Sequence, residues 1–532
     1  MRNPLQNRTG GLRRRTRRGR GLSASQVLLG TYVAFALACV VFAAPFVDYS
    51  CKTVASTLNA AYVVMAVLVG TGLVALVKLP ASARLLKRMR TRKAFLLTVG
   101  IGSVLLICLQ AIIVKTSWFY AGFDVWCVTN YGNVEQTQYF SMNVNQYFMT
   151  GLFQRIMGLG LAVGLENGYL CLVAIGCLCV SASVVMAAFI GKRLGGYLVG
   201  YAAFFGCFVF VGLSPWILVP YSDTYAMVWT TAVIWFLVCI DNRAAKCLGM
   251  AFCSVVAYEI KPTGIFIAAA IVLTALCQLA RTLAGGRSLR RQGAHCSNEN
   301  SVLSWNWRQV VACCLCAALG LGAAFGIASK VKDIGFEGDP EAAFTATHFL
   351  MMGFNPETNG IWSGDDVAES QSHATIAERQ SANLRIWAQR VQDAGPVGLA
   401  KLFVKKTCTN FSDGSMAWTR EGDFYFETPN TEGFWVQAYG IGDEDHEAPF
   451  VPLFQVVWFV VLIGVAAACF LVRSADVPVR SLCLALFLLC GFVLLFECRA
   501  RYLILYMPCF VVLAALGWQQ LSRRFACPAT MS

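Results

Sequence analysis

The side chains of this 532-residue chain that could do chemistry sit in short polar breaks between apolar stretches. The first long break, Lys115–Gly151, places Asp124 among Trp118, Phe119, Tyr120, Phe123 and Trp126, followed by Glu135 and an Asn/Gln/Tyr-rich run. Aromatic surroundings desolvate a carboxylate and raise its proton affinity, which suits Asp124 to take a proton from an acceptor hydroxyl. Lys261, in "YEIKPTG", stands between two apolar runs and needs an anionic partner there, either Glu259 or a ligand phosphate. In "FECRARYLILYMP", Arg499 and Arg501 flank a helix start whose free N–H groups also favour an anion, with Glu497 and Tyr502 beside them. One phosphate would satisfy all three cations; the alternative is an internal ion pair such as Glu497 with Arg501. Tyr221 and Asp223 in "SPWILVPYSDT", and His348 and Asn355 in "THFLMMGFNPETNG", are expected to line the same pocket. His348, His373 and His446 lack metal-ligand spacing, so a divalent metal is compatible with the chain but no residue pattern calls for one. No phosphate loop, dinucleotide fingerprint or nucleophile elbow is present.

Positioning these residues falls to membrane helices. Hydrophobic residues make up 57% of the chain and charged residues 14%, with a mean hydropathy of +0.59. Continuous apolar runs of about 17 to 25 residues match the hydrocarbon core of a bilayer. The net charge of +14 is not a nucleic-acid signature. Residues 330–449 hold 19 of the 29 acidic and 9 of the 43 basic residues, a net of −10 that leaves +24 elsewhere. That separation is what the positive-inside rule produces. The N-terminal arginines (Arg8 to Arg20) read as an anchor beside anionic headgroups rather than an RNA-binding arm. Many of the 23 cysteines, such as Cys171, Cys177 and Cys313, lie in apolar runs and act as small apolar residues.

These runs predict an all-α polytopic protein of about twelve spans (eleven to thirteen), with both termini cytoplasmic. The spans are about Val27–Phe46, Val54–Val77, Ala94–Val114, Tyr169–Ile190, Tyr197–Leu213, Thr224–Ile240, Ala245–Tyr258, Pro262–Thr282, Val310–Ser329, Val451–Val472, Arg480–Leu495 and Tyr502–Leu521. Tyr147–Gly164 contains Arg155 and is broken up by Gly151, Gly158, Gly160 and Gly164; taken as an interfacial helix, it leaves every later basic loop inside. The organisation expected is a basic tail (1–24), three spans (25–114), a first outer loop (115–168), a six-span core (169–329), an α-rich extracytoplasmic unit (330–449), three spans (450–522) and a tail (523–532). Within the outer unit, Gln371–Asp393 fits an amphipathic helix and Val397–Lys406 a second.

The ordered set "GFDVW", "PYSDT", "IKPT", "HFLMMGFN", "KKTCTNFSDG" and "RARYL", spread over about Gly122–Leu516, resembles the GT-C superfamily of membrane glycosyltransferases. The likeness is greatest to the bacterial branch related to dolichyl-phosphate-mannose protein mannosyltransferases. The resemblance implies a plasma-membrane enzyme that takes a polyprenyl-phosphate-linked sugar from the outer leaflet. The sugar would pass to an envelope glycan, lipid or protein. It also implies that Asp124 is the base and that Lys261, Arg499 and Arg501 hold the donor phosphate. Where many relatives carry a second acid beside the first-loop Asp, this chain has Phe123 and Val125. A transporter or flippase of lipid-linked sugars is the alternative, and it predicts ionisable residues near mid-span.

Overall fold

The computed structural model describes residues 22–131, 137–291, 306–420, 425–442, 448–473 and 476–524. Glu135, His446, the N-terminal arginines and much of the Arg281–Arg308 linker lie outside them. Among the described residues, ten helices are long and apolar enough to cross a bilayer. They are Ala24–Ala43, Asn59–Lys78, Arg92–Ser117, Gly168–Gly195, Ser222–Cys239, Pro262–Thr282, Trp307–Lys332, Val451–Leu471, Val477–Leu495 and Ala500–Arg524. Two further expected spans differ in kind. Tyr197–Gly212 is shorter, and Arg243–Ile260 carries Arg243, Lys246 and Glu259 within its 18 residues.

Contacts between helix ends show that these elements run back and forth between two common ends. At one end Gln26 donates to the Val472 carbonyl (2.7 Å), Tyr201 to Met89 (2.9 Å), Gln519 to Gly195 (2.8 Å) and Arg193 to Asp241 (2.6 Å). At the other, the Ala121 amide donates to Tyr169 (3.1 Å), Gln455 to Asn59 (2.6 Å) and Lys332 pairs with Glu259. The described parts of the basic loops gather at the first end, and residues 330–420 and 425–442 at the second. The chain is therefore a multi-pass membrane protein whose charge is sorted by end.

Burial is unequal along the bundle. In Ala500–Arg524 94% of the most apolar window is buried within the protein, against 11% in Asn59–Lys78. The last helix packs on Val451–Leu471 through small residues: a Cβ on Gly464 would meet Ala514 Cα at 2.8 Å, and one on Gly517 would overlap the Gly464 carbonyl. Such close backbone approach is how helices associate where lipid removes the hydrophobic drive.

Tyr147–Ala162 is one unbroken helix, contrary to the expectation that its glycines interrupt it. Gly151 and Gly160 are points of close approach, where a Cβ would overlap the Val331 carbonyl and the Cys171 thiol respectively. Arg155 donates to the Gly151 (2.8 Å), Val331 (3.0 Å) and Lys330 (2.6 Å) carbonyls, capping the end of Trp307–Lys332. Both halves of the helix thus rest on helix ends of the same side.

The unit of residues 330–420 and 425–442, named the outer unit for the side expected of it, is mainly helical, and Tyr425–Glu427 pairs antiparallel with Tyr120–Ala121 of the first loop. The two helices expected over Gln371–Lys406 form one element, Ile376–Phe411, bent at Gly395 (φ +56°) before Pro396. It begins later than expected because Thr375 and Glu378 close a capping box. It also runs further, and Thr407–Phe411 are buried against the bundle rather than lying on a surface.

Candidate active site

Asp124 is the second residue of the short helix Phe123–Thr129. The preceding Phe123 has φ +52°, a left-handed conformation that bulky residues rarely adopt. Both carboxylate oxygens of Asp124 accept phenol protons: Oδ1 from Tyr139 (2.8 Å) and Oδ2 from Tyr221 (2.6 Å). Burial, followed by the nearby Asp124 charge, keeps the Tyr139 phenol well above its ordinary range. At Tyr221 burial dominates over the opposing pull of Arg501. Both tyrosines therefore remain donors and orient the carboxylate. The aromatic group expected around Asp124 is partly elsewhere: Trp118 meets Tyr120 edge to face, Tyr120 lies against Tyr169, Phe119 packs on Trp418, and Phe123 is exposed.

From Tyr221 the site continues without a gap. The Arg501 guanidinium lies 3.9 Å from the Tyr221 ring centre and 5.8 Å from those of Trp216 and Tyr502. The Lys261 ammonium lies 4.3 Å from the Tyr502 ring and bonds Asp223 Oδ1 at 2.5 Å. Tyr502 donates to Glu497 (2.9 Å), which also accepts from Arg499 (3.0 Å). Asp223 is 1% exposed and Arg501 4%, so these charges are held away from water. Burial lowers the Lys261 pKa against the pull of Asp223.

Local structure explains the pairings. Lys261 ends the Arg243–Ile260 helix in an extended conformation (φ −150°), which turns its side chain toward the start of Ser222–Cys239. Its partner is thus Asp223 and not Glu259, one of the two partners expected, which pairs with Lys332. Glu497 pairs with Arg499. Arg499 is extended (φ −154°), so alternate residues share a side there, whereas Ala500–Tyr506 turns into a 3₁₀ helix.

His348 and Asn355 are not brought into this cluster by any hydrogen bond the structure gives them. His348 Nδ1 meets Ser370 (2.7 Å) and its ring stacks on Phe344. Asn355 bonds Ser363 (3.3 Å) and Asp366 (2.9 Å), and its oxygen caps the amides of Glu357 and Thr358. Both belong to the interior of the outer unit. Tyr139 and Trp216 were not singled out in the sequence, although Tyr139 falls in the Asn/Gln/Tyr-rich run that follows Asp124. No group of three or more His, Cys, Asp or Glu residues that could hold a metal occurs among the described residues.

Fold and site together define a polytopic α-helical membrane protein with a buried cluster of paired charges at one end of its bundle. The chain belongs to the family of conserved hypothetical integral membrane proteins, whose pattern matches residues 23–522. No curated protein matches it. Among solved structures it is similar to ArnT from Cupriavidus metallidurans bound to undecaprenyl phosphate, at 13% identity and a TM-score of 0.29 over 81% of this chain and 79% of that one.

Proposed function

We propose that this protein is a glycosyltransferase that moves a sugar from a polyprenyl-phosphate donor to an acceptor hydroxyl at the outer end of the bundle. The observation that carries this is the continuous run Asp124–Tyr221–Arg501–Tyr502–Lys261–Asp223. It joins one part-exposed carboxylate to a set of cations drawn from distant parts of the chain. A carboxylate offers about four lone-pair sites, so Asp124 keeps room for an acceptor hydroxyl beside its two phenol donors. The hydroxyl proton passes to Asp124 as its oxygen attacks the anomeric carbon. The bond from that carbon to the phosphate oxygen breaks, and the electron pair leaves with the polyprenyl phosphate. Arg501, Lys261 and Arg499 stabilise the charge that develops on that phosphate.

The transporter reading is less well supported, since the ionisable cluster sits at helix ends rather than along a mid-span pathway. Release of polyprenyl phosphate from a labelled polyprenyl-phosphate hexose, in nanodiscs with an envelope extract as acceptor, tests the assignment. Asp124→Asn is expected to lower release by on the order of a hundredfold or more, with polyprenyl phosphate binding retained. Wild-type release by this variant would exclude the base role. Movement of labelled donor across vesicles with no new glycosidic bond would favour transport.

A further inference from the structure

Two stretches of the chain remain outside the proposed chemistry, "HFLMMGFN" and "KKTCTNFSDG", and they meet at Lys406. This lysine is fully buried. Its ammonium donates to the Gly353 carbonyl (2.7 Å) and the Phe496 carbonyl (2.6 Å). Gly353 ends a helix of the outer unit, Ala346–Gly353, and Phe496 caps the span Val477–Leu495. Each of these carbonyls belongs to a helix C-terminus, where unsatisfied acceptors and the helix dipole attract a cation.

The contact is built on both sides. A Cβ on Gly353 would meet the Phe496 backbone at 2.5 Å, and one on Gly360 (φ +80°) would meet the Lys406 ammonium at 3.0 Å. The Cys498 amide donates to the Gly360 carbonyl (2.9 Å). Lys405 holds Asn359, the neighbour of Gly360, at 2.9 Å. The outer unit therefore clamps Phe496 and Cys498 from one side, and Glu497 lies between them. Arg499, Arg501 and Tyr502 follow directly.

We infer that Lys406 is a positioning residue: it couples the outer unit to the segment carrying Glu497, Arg499, Arg501 and Tyr502, and so sets the geometry in which that segment takes a phosphate. The inference rests on the proposed donor site. A carbonyl released from Lys406 would let the 496–502 backbone rotate, and the guanidinium of Arg501 would leave its place over Tyr221.

The test measures binding of a polyprenyl monophosphate to the full-length protein in nanodiscs, together with backbone hydrogen exchange over 496–506. Lys406→Met is expected to weaken binding roughly tenfold, the scale of a hydrogen bond from a charged group. Exchange should rise across 496–502 while Val451–Leu471 stays protected. Gly353→Ala, which leaves the ammonium in place but pushes the two helix ends apart, should weaken binding in the same way and covers the case in which the Met variant does not fold. Unchanged affinity and exchange in both variants would overturn the inference. Arg501→Gln separates it from the donor-site assignment: if that variant also binds normally, the assignment itself fails. If only Arg501→Gln loses binding, the positioning role of Lys406 fails.

Discussion

At Asp124, donors from two separate parts of the chain converge on one carboxylate, Tyr139 from the first loop and Tyr221 from before the Ser222 helix. The residue types at this site could be read from the sequence, but their pairing could not. Glu259 and Lys261 are two positions apart, but Glu259 is still helical while Lys261 has left the helix in an extended conformation, so their closeness in sequence does not pair them. His348 illustrates the reverse case. As a histidine in a polar motif it looked like a pocket residue, yet it is 1% exposed in the outer unit. Burial, against the weaker pull of Asp366, pushes its pKa down to about 4 from 6.5. A histidine buried neutral carries a definite pH signature. Below pH 6.5 the unfolded chain takes a proton that the folded state refuses until about pH 4, so stability is full above 6.5 and falls through that window. The loss is on the order of 3 kcal/mol. The thermal midpoint should drop between pH 6.5 and 4, and a His348→Gln variant should show a shallower drop. An equal slope in the variant would remove His348 as the cause.

Glycine carries much of the information at the level of helices, and in two different senses. In Tyr147–Ala162 the glycines look like breaks in an apolar run, but two of them mark where the helix presses on Val331 and Cys171. Arg155, which disqualifies the segment as a span, is there to satisfy carbonyls at the end of Trp307–Lys332. By contrast Gly395, with φ +56° ahead of Pro396, does bend its helix, and the bend directs the second half down toward the bundle and brings Lys406 to Phe496. Val451–Leu471 and Ala500–Arg524 cross closely at Gly464 and Gly517, where the backbones leave no room for a Cβ. Gly517→Leu is expected to cost at least 1–3 kcal/mol, as overpacking does. Its measure is the midpoint of unfolding in detergent, compared with Gly72→Leu, where open space surrounds the added atoms. Equal midpoints would mean that the two helices do not pack as closely as Gly464 and Gly517 place them.

Over the whole molecule, the sorting of charge and the alternation of helix ends agree. Among the described residues, basic loops meet at one end; residues 330–420 and 425–442 and the Asp124 cluster meet at the other. An epitope inserted at the exposed Thr431 should bind antibody on intact cells, while one at the C-terminus should bind only after lysis. The opposite result would put the Asp124 cluster inside. That the protein is a helical membrane protein followed from composition alone, because apolar length and the exclusion of charge from lipid are properties of each segment by itself. The sides expected of the loops also come from counting, since the charge bias is a sum over residues. Which helix forms the centre did not. Asn59–Lys78 is more apolar than Ala500–Arg524, yet the latter is the buried one, because lipid and protein interior are equally apolar and the choice between them is made by shape. The same holds for the site. Sequence could name acids and cations in polar breaks, but whether Lys261 faces Asp223 or Glu259, and whether His348 enters the Asp124 cluster or the outer unit, depends on directions in space that only the packed chain defines.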